Sequence, residues 1–532
     1  MPRMTGGQAL VKSLHREGVR VIFGLPGVQL YHALDPLYDE PDIRFVNTRH
    51  EQATTYMADG YARAGGKVGT ALVVPGPGLL NASAGIGTAY AASSPVLVVS
   101  GQIERDLIGV ERGVLHEVHD QLDAIRPITK WAHRVLDHRQ VPEAVHEAFY
   151  QLNSGRPRPV EIEIPPDTLA EEASIDLVEP GGYSRPAASA ESIREAVRLL
   201  AASTNPIIWA GGGAVSSESS DALLQVAEYL QAPVVTTPEG KGVVSDRHYL
   251  ALGAHQLRDD PLAEQLKSCD LVLAVGTRLA TMGYLSGQQI VQIDIDPEEI
   301  GRNHENTFGL VGDARKTLED LFKLLTAAGP ARPSRRLEVE EMKTRRAEKA
   351  IRVEPQGAFL NAIRSALPED GILVPGMTQV GYYARPNFET YHPRTFLTSS
   401  YFGNLGFAYP VALGAKVAMP DRAVVAISGD GGFLFNSQEL STAVQHGINV
   451  VVVVFDDGAF GNVLRDQANQ FGGRTVGAEL HNPDFVKLAQ AYGVNGVKAG
   501  GPDELESALR DALALDAPTL IHVPVGPMPL PF

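Results

Sequence analysis

The sequence predicts an α/β protein built from three doubly wound parallel-sheet domains. Short apolar runs of strand length alternate with helical stretches along the chain, which is the pattern of parallel strands joined by crossover helices. With 532 residues, the chain is too long for one hydrophobic core. A passage rich in Pro and Gly near residue 180 and a charged passage near residue 340 divide it. We therefore expect domains at about residues 1–175, 190–330 and 355–532.

Strands of the first domain are predicted where short apolar runs end at turn residues. These runs are Val21–Phe23, Thr70–Val74, Val96–Ser100 and Val160–Ile164. The stretch Glu51–Ala64, between the first two runs, has helical spacing. A polar passage around Pro180-Gly181-Gly182 then predicts a linker.

The central domain starts with a predicted helix, Ser192–Ala202, and a predicted strand, Pro206–Ala210. Gly211-Gly212-Gly213 follows that strand, and the runs Val272–Gly276 and Gln292–Asp296 predict further strands. This order indicates a Rossmann-like domain. The glycine run lacks the Gly-x-Gly-x-x-Gly spacing of a dinucleotide site, so we expect an empty or purely structural central domain.

In the third domain, the predicted strand Val424–Ile427 leads to Gly429-Asp430-Gly431. A predicted helix, Phe433–His446, ends at a glycine, and the predicted strand Val450–Phe455 leads to Asp456-Asp457. Parallel strands end at one edge of a sheet, so we expect the carboxylates of Asp430 and Asp457 to meet there. Such oxygen ligands suit Mg²⁺ shared with a phosphate group. An ordinary turn explains the tripeptide alone, but the second acidic pair favours the metal site.

Composition excludes several classes of partner and compartment. A net charge of −17 argues against binding to nucleic acid or to anionic membranes. No apolar run is long enough to span a bilayer, and we expect no secretory signal region. A single cysteine, Cys269, rules out an internal disulfide framework, so we predict a cytoplasmic protein. The charged segment Arg332–Arg352 is predicted to be a solvated helix or linker.

Four motifs together resemble the thiamine-diphosphate-dependent enzymes, in particular the acetolactate synthase branch. They are Phe23-Gly24-Leu25-Pro26-Gly27, Arg49-His50-Glu51-Gln52-Ala53, Pro75-Gly76-Pro77-Gly78 with Asn81, and Gly429-Asp430-Gly431 with the acidic pair that follows. The similarity is strongest over Thr398–Gly414, and the first domain also resembles benzaldehyde lyase and oxalyl-CoA decarboxylase. The resemblance implies a pyrimidine-binding first domain, a central domain that holds FAD, ADP or nothing, and a diphosphate-binding third domain. We do not favour FAD.

The resemblance implies that the protein binds thiamine diphosphate and Mg²⁺. The implied metal ligands are Asp430, Asp457 and the main-chain oxygen of Ala459. The implied cofactor contacts are Pro26, Gly27, Glu51, Asn81, Gly403, Leu405, Gly429, Asp430, Gly431, Gly432, Asp457, Phe460 and Gly461. The family has Asn-Asn where this chain has Asp456-Asp457, so an extra carboxylate lies beside the diphosphate. We expect binding to be retained, with a stronger dependence on metal and pH.

Specific roles in catalysis also follow from the resemblance. In the family, a glutamate at the position of Glu51 hydrogen-bonds a ring nitrogen of the aminopyrimidine and thereby activates the cofactor. A charge at a helix start is the alternative for Glu51 outside this motif context. Leu405 stands where the family has the apolar side chain that keeps the cofactor bent. Gly403 stands where a carbonyl contacts the pyrimidine amino group.

The segment His116-Glu117-Val118-His119 lies where acetolactate synthases have Phe-Gln-Glu and oxalyl-CoA decarboxylases have Tyr-Glu. The resemblance to either family implies that His116 and Glu117 relay protons at the reacting centre. A polar loop with satisfied histidines is an equally weighted alternative. A zinc-protease motif is rejected because it needs histidines four residues apart, whereas His116 and His119 are three apart.

The implied reaction is decarboxylation of a 2-oxo acid and transfer of the acyl anion to an aldehyde or ketone. The implied substrate pocket contains Asn462, Arg465 and Asp466, which make it more polar than usual for the family. Alternatives are a 2-hydroxyacyl-CoA lyase, an oxalyl-CoA decarboxylase-type enzyme, an FAD-linked oxidation, and a catalytically silent regulatory homologue. Glu51 and Asp430 lie in different domains, which in the family come from different subunits, so we expect a homodimer or homotetramer.

Overall fold

The computed structural model describes residues 2–255, 262–280, 285, 287–349 and 352–530. It contains three parallel sheets, one in each third of the chain, and this confirms the predicted fold class. In the first sheet, Val96 and Val98 belong to one apolar core while Leu97 and Val99 belong to another. Successive strand residues point to opposite faces, so helices cover both sides of this sheet.

The amino-terminal sheet has the strand order β3-β2-β4-β5-β7-β6, and β1 pairs with β8 in a small antiparallel ribbon. The strands are β1 (Arg3–Thr5), β2 (Val21–Gly24), β3 (Arg44–Asn47), β4 (Gly69–Val73), β5 (Val96–Gly101), β6 (Trp131–Arg134), β7 (Val160–Ile164) and β8 (Glu172–Ser174). The helices are α1 (Gly6–Arg16), α2 (Tyr31–Leu34), α3 (Glu51–Gly65), α4 (Pro77–Ala92), α5 (Gln121–Ile125), α6 (Val141–Asn153) and α7 (Pro166–Ala170). The predicted strands of this domain agree with the observed ones to within one residue at each end.

The central sheet has the order β11-β10-β9-β12-β13-β14 and is parallel throughout. Its strands are β9 (Pro206–Ala210), β10 (Val234–Thr236), β11 (Ala251–Ala254), β12 (Leu271–Val275), β13 (Gln289–Asp294) and β14 (Thr307–Val311). Its helices are α8 (Ala190–Ala202), α9 (Gly212–Ser216), α10 (Ser220–Leu230), α11 (Ala263–Ser268) and α12 (Ala314–Ala328). A largely exposed helix, α13 (Arg336–Lys349), follows in the charged segment.

The carboxyl-terminal sheet has the order β15-β16-β17-β19-β18 and is also parallel. Its strands are β15 (Ile372–Pro375), β16 (Val424–Gly429), β17 (Val451–Asp456), β18 (Asn495–Lys498) and β19 (Thr519–Pro524). Its helices are α14 (Gln356–Ala366), α15 (Gln379–Asn387), α16 (Ala408–Ala418), α17 (Asp430–Leu434), α18 (Leu440–His446), α19 (Gly461–Gln470), α20 (Phe485–Ala491) and α21 (Pro502–Leu515).

The single helix predicted over Phe433–His446 is wrong, because the structure divides this stretch into α17 and α18. The break lies at Asn436, whose buried side chain donates a hydrogen bond of 2.7 Å to the carbonyl of Gly406. Gly406 itself has a φ of +83° and packs against Phe435. The helix is interrupted because this segment holds a distant loop, a tertiary requirement that local spacing does not encode. Gly447 ends α18 with a φ of +62°, as expected for a helix C-terminus.

The amino- and carboxyl-terminal domains pack through α3 and α16. A side chain on Gly60 would clash with the main chain of Val411, and one on Gly414 would clash with that of Met57. The two helix backbones therefore approach closely at glycines, which fixes how the two domains meet. Within the part of the chain that the structure describes, no helix combines the length and apolar character needed to cross a membrane.

Candidate active site

Two neighbouring strands bring the predicted acidic residues to one edge of the carboxyl-terminal sheet. β16 and β17 are paired in parallel, with Gly429 opposite Phe455, so Asp430 and Asp457 follow at matching ends. Asp430 is 2% exposed, and Asp457 is half-buried. The pKa of Asp430 is raised, mainly by burial. Burial, and next the charge of Asp430, raise the pKa of Asp457 to about 6. The charge of Asp430 thus opposes the ionisation of Asp457, and two carboxylates in such an arrangement favour a cation between them.

Asp456, the first residue of the acidic pair, also lies beside Asp430: after burial, its charge and a side-chain hydrogen bond with it help to raise the pKa of Asp430. His522 Nε2 lies 3.0 Å from its Oδ2, and the Gly458 amide donates a hydrogen bond of 3.2 Å to its Oδ1. Asn482 joins the two strand ends: its Nδ2 donates to Asp430 Oδ2 at 2.6 Å and to Asp456 Oδ1 at 2.8 Å. Sequence reasoning missed Asn482, because it lies 52 residues beyond Asp430 in a loop without periodicity.

Two glycines at this edge are packed so closely against other residues that neither position has room for a side chain. A Cβ on Gly431 would overlap the ring of Phe460, and one on Gly461 would overlap Oδ2 of Asp457. Gly461 begins α19, and Phe460 precedes it, so the exposed amide groups of a helix start also face this region. Ala459 is buried in the turn after β17. Carboxylate oxygens, close glycines and a helix start together fit a metal ion with a diphosphate group.

The Gly403–Gly406 loop lies over the same strand ends. Gly403 has a φ of +63°, which a residue with a side chain rarely adopts. Leu405 is half-buried, with its Cδ2 3.8 Å from the place where a Cβ on Gly432 would stand. Gly429 is half-buried beside Thr378. The structure therefore brings Leu405 next to Gly432, two residues after Asp430, while Gly403 lies beside Met377.

The predicted substrate residues form a polar network on α19. Asn462 Oδ1 accepts hydrogen bonds from Arg465 and from Gln379 Nε2, the latter at 2.7 Å. Gln379 is buried, begins α15, and was not foreseen from the sequence. Asp466 is exposed, with its Oδ1 3.8 Å from Arg465 Nε.

Glu51 is held in the amino-terminal domain at the first position of α3. It is 7% exposed, and its Oε2 accepts a hydrogen bond of 3.0 Å from Asn81 Nδ2. His50 caps the helix start through its Nδ1, which accepts from the Gln52 amide at 3.1 Å. Gly27 has no room for a side chain because Val74 occupies that space. Pro26 beside it is exposed.

The loop with His116 and Glu117 lies against the Pro75–Gly78 turn, close to Glu51. A Cβ on Gly76 would overlap the carbonyl of His116, and one on Gly78 would lie 3.6 Å from Glu51 Oε1. His116 itself has a φ of +70°, which is uncommon for a residue with a side chain. Glu117 Oε2 accepts from the amide of Val114 at 3.0 Å, and its buried Oε1 has no partner among the described residues.

Among the described residues, the Glu51 side chain accepts its hydrogen bond from Asn81 and makes none to the Asp430 edge. The Gly403–Gly406 loop is joined to the first domain, because Asn404 Nδ2 donates to the hydroxyl group of Tyr56 and Asn404 Oδ1 accepts from Thr88 Oγ1 at 3.1 Å. Exposed apolar side chains belong to both halves of the site. They are Val28, Leu80 and Leu115 in the first domain and Leu434, Phe435, Val463, Phe471 and Val476 in the third.

A separate cleft of about 450 Å³ opens at the carboxyl edge of the central sheet. Gly211–Gly213 and Asp294 line it from the central domain, and Arg156 and Arg385 contribute from the other two domains. Burial raises the pKa of Asp294 to about 6. The sequence did not predict this cleft, since its walls come from three domains.

Three family models match the chain in the same order as its three sheets. The thiamine pyrophosphate enzyme N-terminal TPP binding domain matches residues 4–124. The central domain of the same enzymes matches residues 193–321. Their C-terminal TPP binding domain matches residues 376–523.

Relatives of known description match almost the full length. A probable acetolactate synthase large subunit of Methanocaldococcus jannaschii is 37% identical over 98% of this chain and 92% of its own length. A probable 2-ketoarginine decarboxylase of Pseudomonas aeruginosa is 38% identical over 98% of this chain and 94% of its own length. The acetolactate synthase isozyme 3 large subunit of Escherichia coli is 33% identical over 96% of this chain and 93% of its own length.

Proposed function

The chain belongs to the thiamine pyrophosphate enzyme family, and on that premise we propose that it decarboxylates a 2-oxo acid and transfers the acyl group to an aldehyde or ketone. It is a thiamine-diphosphate-dependent enzyme related to acetolactate synthase large subunits. The observation that carries the proposal is that the carboxyl groups of Asp430 and Asp457 interact at one sheet edge, with several glycines next to them.

Magnesium is proposed to bind Asp430, Asp457 and the main-chain oxygen of Ala459. Glycines 429, 431, 432 and 461, with Phe460, would surround the diphosphate, and Gly403 and Leu405 the rings. The cofactor supplies an electron sink for the carbon-carbon bond cleavage. The chain's own residues orient it, exclude water and move protons. Titrating thiamine diphosphate in the presence of Mg²⁺, with quenching of protein fluorescence as the readout, tests this part directly.

Glu51 is proposed to exchange a proton with the pyrimidine ring, since its carboxyl group is buried and is oriented by Asn81. Glu51→Gln keeps the shape and the hydrogen-bonding atoms but cannot exchange that proton. We expect turnover to be lost while cofactor binding remains measurable. Glu143→Gln, an exposed first-turn residue of α6, is the matched control and should leave both unchanged. Full activity of Glu51→Gln refutes the role.

A homodimer is proposed as the smallest active unit, with Glu51 and Asp430 of each site coming from different subunits. The exposed apolar side chains around both halves support this, because a second copy would bury them. Co-expression of Glu51→Gln and Asp430→Ala chains tests it, since each inactive parent lacks a different half. Mixed dimers would then keep one intact site, giving about one quarter of wild-type activity with random pairing. No recovery contradicts a shared site. Sedimentation distinguishes a dimer from a tetramer.

The substrate is proposed to be a short 2-oxo acid that tolerates a polar side chain. The support is the Asn462, Arg465 and Gln379 network, with Asp466 exposed next to it. The name of the Pseudomonas relative, a 2-ketoarginine decarboxylase, makes a guanidino 2-oxo acid a second candidate. A panel of pyruvate, glyoxylate, benzoylformate, the 2-oxo acid of arginine and an acyl-CoA, with products identified by mass spectrometry, separates ligation, decarboxylation and thioester cleavage. No product from any of them favours the silent regulatory homologue.

The central cleft is where a nucleotide would bind if this domain carries one. Its glycine run still lacks the dinucleotide spacing, so an absence of FAD remains our prediction. The absorption spectrum of the purified protein tests it, because bound flavin is yellow. The cytoplasmic location predicted from the single cysteine also remains a prediction.

A further inference from the structure

The buried side chain of Gln29 contacts two successive residues of the loop that contains His116. Gln29 is 7% exposed and lies just before α2. Its Nε2 donates a hydrogen bond of 3.1 Å to the main-chain carbonyl of Leu115. Its Oε1 lies 2.9 Å from Nδ1 of His116. Both polar atoms of one amide are therefore used on the same short segment.

These two contacts determine which nitrogen of His116 carries the proton. A carbonyl oxygen only accepts, so the amide of Gln29 must face Leu115 with its NH₂ group. Its oxygen then faces Nδ1, and an oxygen of this kind also only accepts. Nδ1 of His116 must therefore donate. In a neutral imidazole the other nitrogen is then the bare acceptor, so Nε2 carries the lone pair.

The loop conformation keeps this arrangement next to the proposed reacting centre. His116 has a φ of +70°, and its carbonyl fills the space that a side chain on Gly76 would need. The same turn continues to Gly78 beside Glu51. Among the described residues, Nε2 of His116 has no recorded hydrogen-bond partner. A backbone held in an uncommon conformation at such a place is a frequent feature of functional loops.

We propose that Gln29 is a positioning residue that fixes His116 as its Nδ1–H tautomer, leaving Nε2 to accept the proton of the hydroxyl group that the reaction forms from the 2-oxo group of the substrate. In that step the O–H bond breaks, an N–H bond forms at Nε2, and the electron pair stays on the oxygen. The imidazolium later returns the proton to an oxygen of the product. This inference rests on the proposed function for the role of His116, but the tautomer itself does not depend on it.

Two substitutions of Gln29 distinguish the effect of its hydrogen-bond acceptor from the effect of its size. Gln29→Met removes both polar atoms at similar length, while Gln29→Glu keeps an oxygen opposite Nδ1. Gln231→Met is the matched control, because Gln231 is equally buried, at 7%, but lies in the central domain. Long-range ¹H–¹⁵N spectra of ring-labelled full-length protein at pH 8, without cofactor, report the tautomer, and loss of one signal in His116→Asn assigns it.

We expect the His116 signal to show a protonated Nδ1 in the wild type, in Gln29→Glu and in Gln231→Met, and to lose that preference in Gln29→Met. With the panel's fastest 2-oxo acid, Gln29→Met should lower kcat about 100-fold with little change in KM, and Gln29→Glu should restore most of it. A wild-type His116 protonated at Nε2, or an unchanged kcat in Gln29→Met, overturns the proposal. Failure of the proposed function would instead appear as no cofactor binding and no turnover in the wild type, whatever the spectra show.

Discussion

Glu439 should make the packing of the two terminal domains dependent on pH. This side chain is fully buried, and its Oε1 and Oε2 lie 3.1 and 3.2 Å from the amide of Arg49, just before α3. Thr442 donates to its Oε2 at 2.6 Å. Burial is the largest influence and raises the pKa of Glu439 from 4.5 to about 7, despite these hydrogen bonds. The carboxyl group is therefore favoured in its neutral form when the domains are packed.

The sign and size of the effect follow from this shift. Because the folded-state pKa is raised, the stabilising contribution is complete below about pH 4.5 and is lost as the pH rises through about 7. A rise in pKa of this size means that ionisation of Glu439 lowers the free energy of opening the domain contact by about 3 kcal/mol. Glu439→Gln keeps an oxygen that accepts from Arg49 but does not ionise. The variant should therefore gain an advantage over wild type as the pH rises. From pH 5 to pH 8, the difference between their opening free energies should grow by about 2–3 kcal/mol.

Hydrogen exchange followed by mass spectrometry measures the free energy of local opening at individual peptides. It suits a chain with several domains, where one global unfolding midpoint is poorly defined. The readout is the protection of the peptide that covers Arg49 and the start of α3. Other buried carboxyl groups, such as Asp457, are present in both proteins and cancel in the difference. Glu143→Gln is the control and should follow wild type at every pH. Parallel protection in wild type and Glu439→Gln from pH 5 to pH 8 would refute the reasoning.

Three further predictions concern the metal site and the domain contact. Asp457→Asn restores the residue typical of the family and removes one anionic ligand, so Mg²⁺ affinity should fall about tenfold. Paramagnetic resonance of bound Mn²⁺, displaced by added Mg²⁺, measures the affinity. Equal affinity in the variant and wild type argues against Asp457 as a ligand. Asn482→Leu removes the amide that orients Asp430, so metal affinity should fall about 10- to 100-fold without a loss of hydrogen-exchange protection in the peptides of β16 and β17, whereas a purely structural role would lower both together. Gly414→Ala should destabilise the protein by about 1–3 kcal/mol, because the added methyl group meets the main chain of Met57. Hydrogen exchange in the peptides of α3 and α16 compares it with Gly329→Ala, where nothing lies within 4 Å of the added methyl group, and equal protection in the two variants would contradict the close helix contact.

Most of the scaffold was predictable because its signals are local. Runs such as Val96–Ser100 and Val160–Ile164 identify buried parallel strands by their composition and length, and both were predicted almost to the residue. The acidic residues after β16 and β17 were predictable for a related reason. Parallel strands end at the same edge, so sequence position after a strand translates into spatial position.

The helix predicted over Phe433–His446 shows where local signals are insufficient. Its apolar spacing is helical at both ends, and both ends are helices. The interruption depends on the bond from Asn436 to Gly406, thirty positions away in the chain. Local helix propensity does not include the free energy that the contact between Asn436 and Gly406 contributes, so it favours a continuous helix.

The sequence by itself determined the three-sheet α/β architecture and the family, and it predicted the chemical nature of the candidate site. Strand composition, glycine turns and acidic residues at strand ends carry that information over short distances. Only the tertiary structure decided which side chains orient the proposed functional groups: Asn482 meets Asp430, and Gln29 meets His116. These partners come from loops far apart in the chain, where no periodic pattern exists. Their contacts arise when the domains fold and fix the loop backbones, because a hydrogen bond requires positions accurate to a few tenths of an ångström.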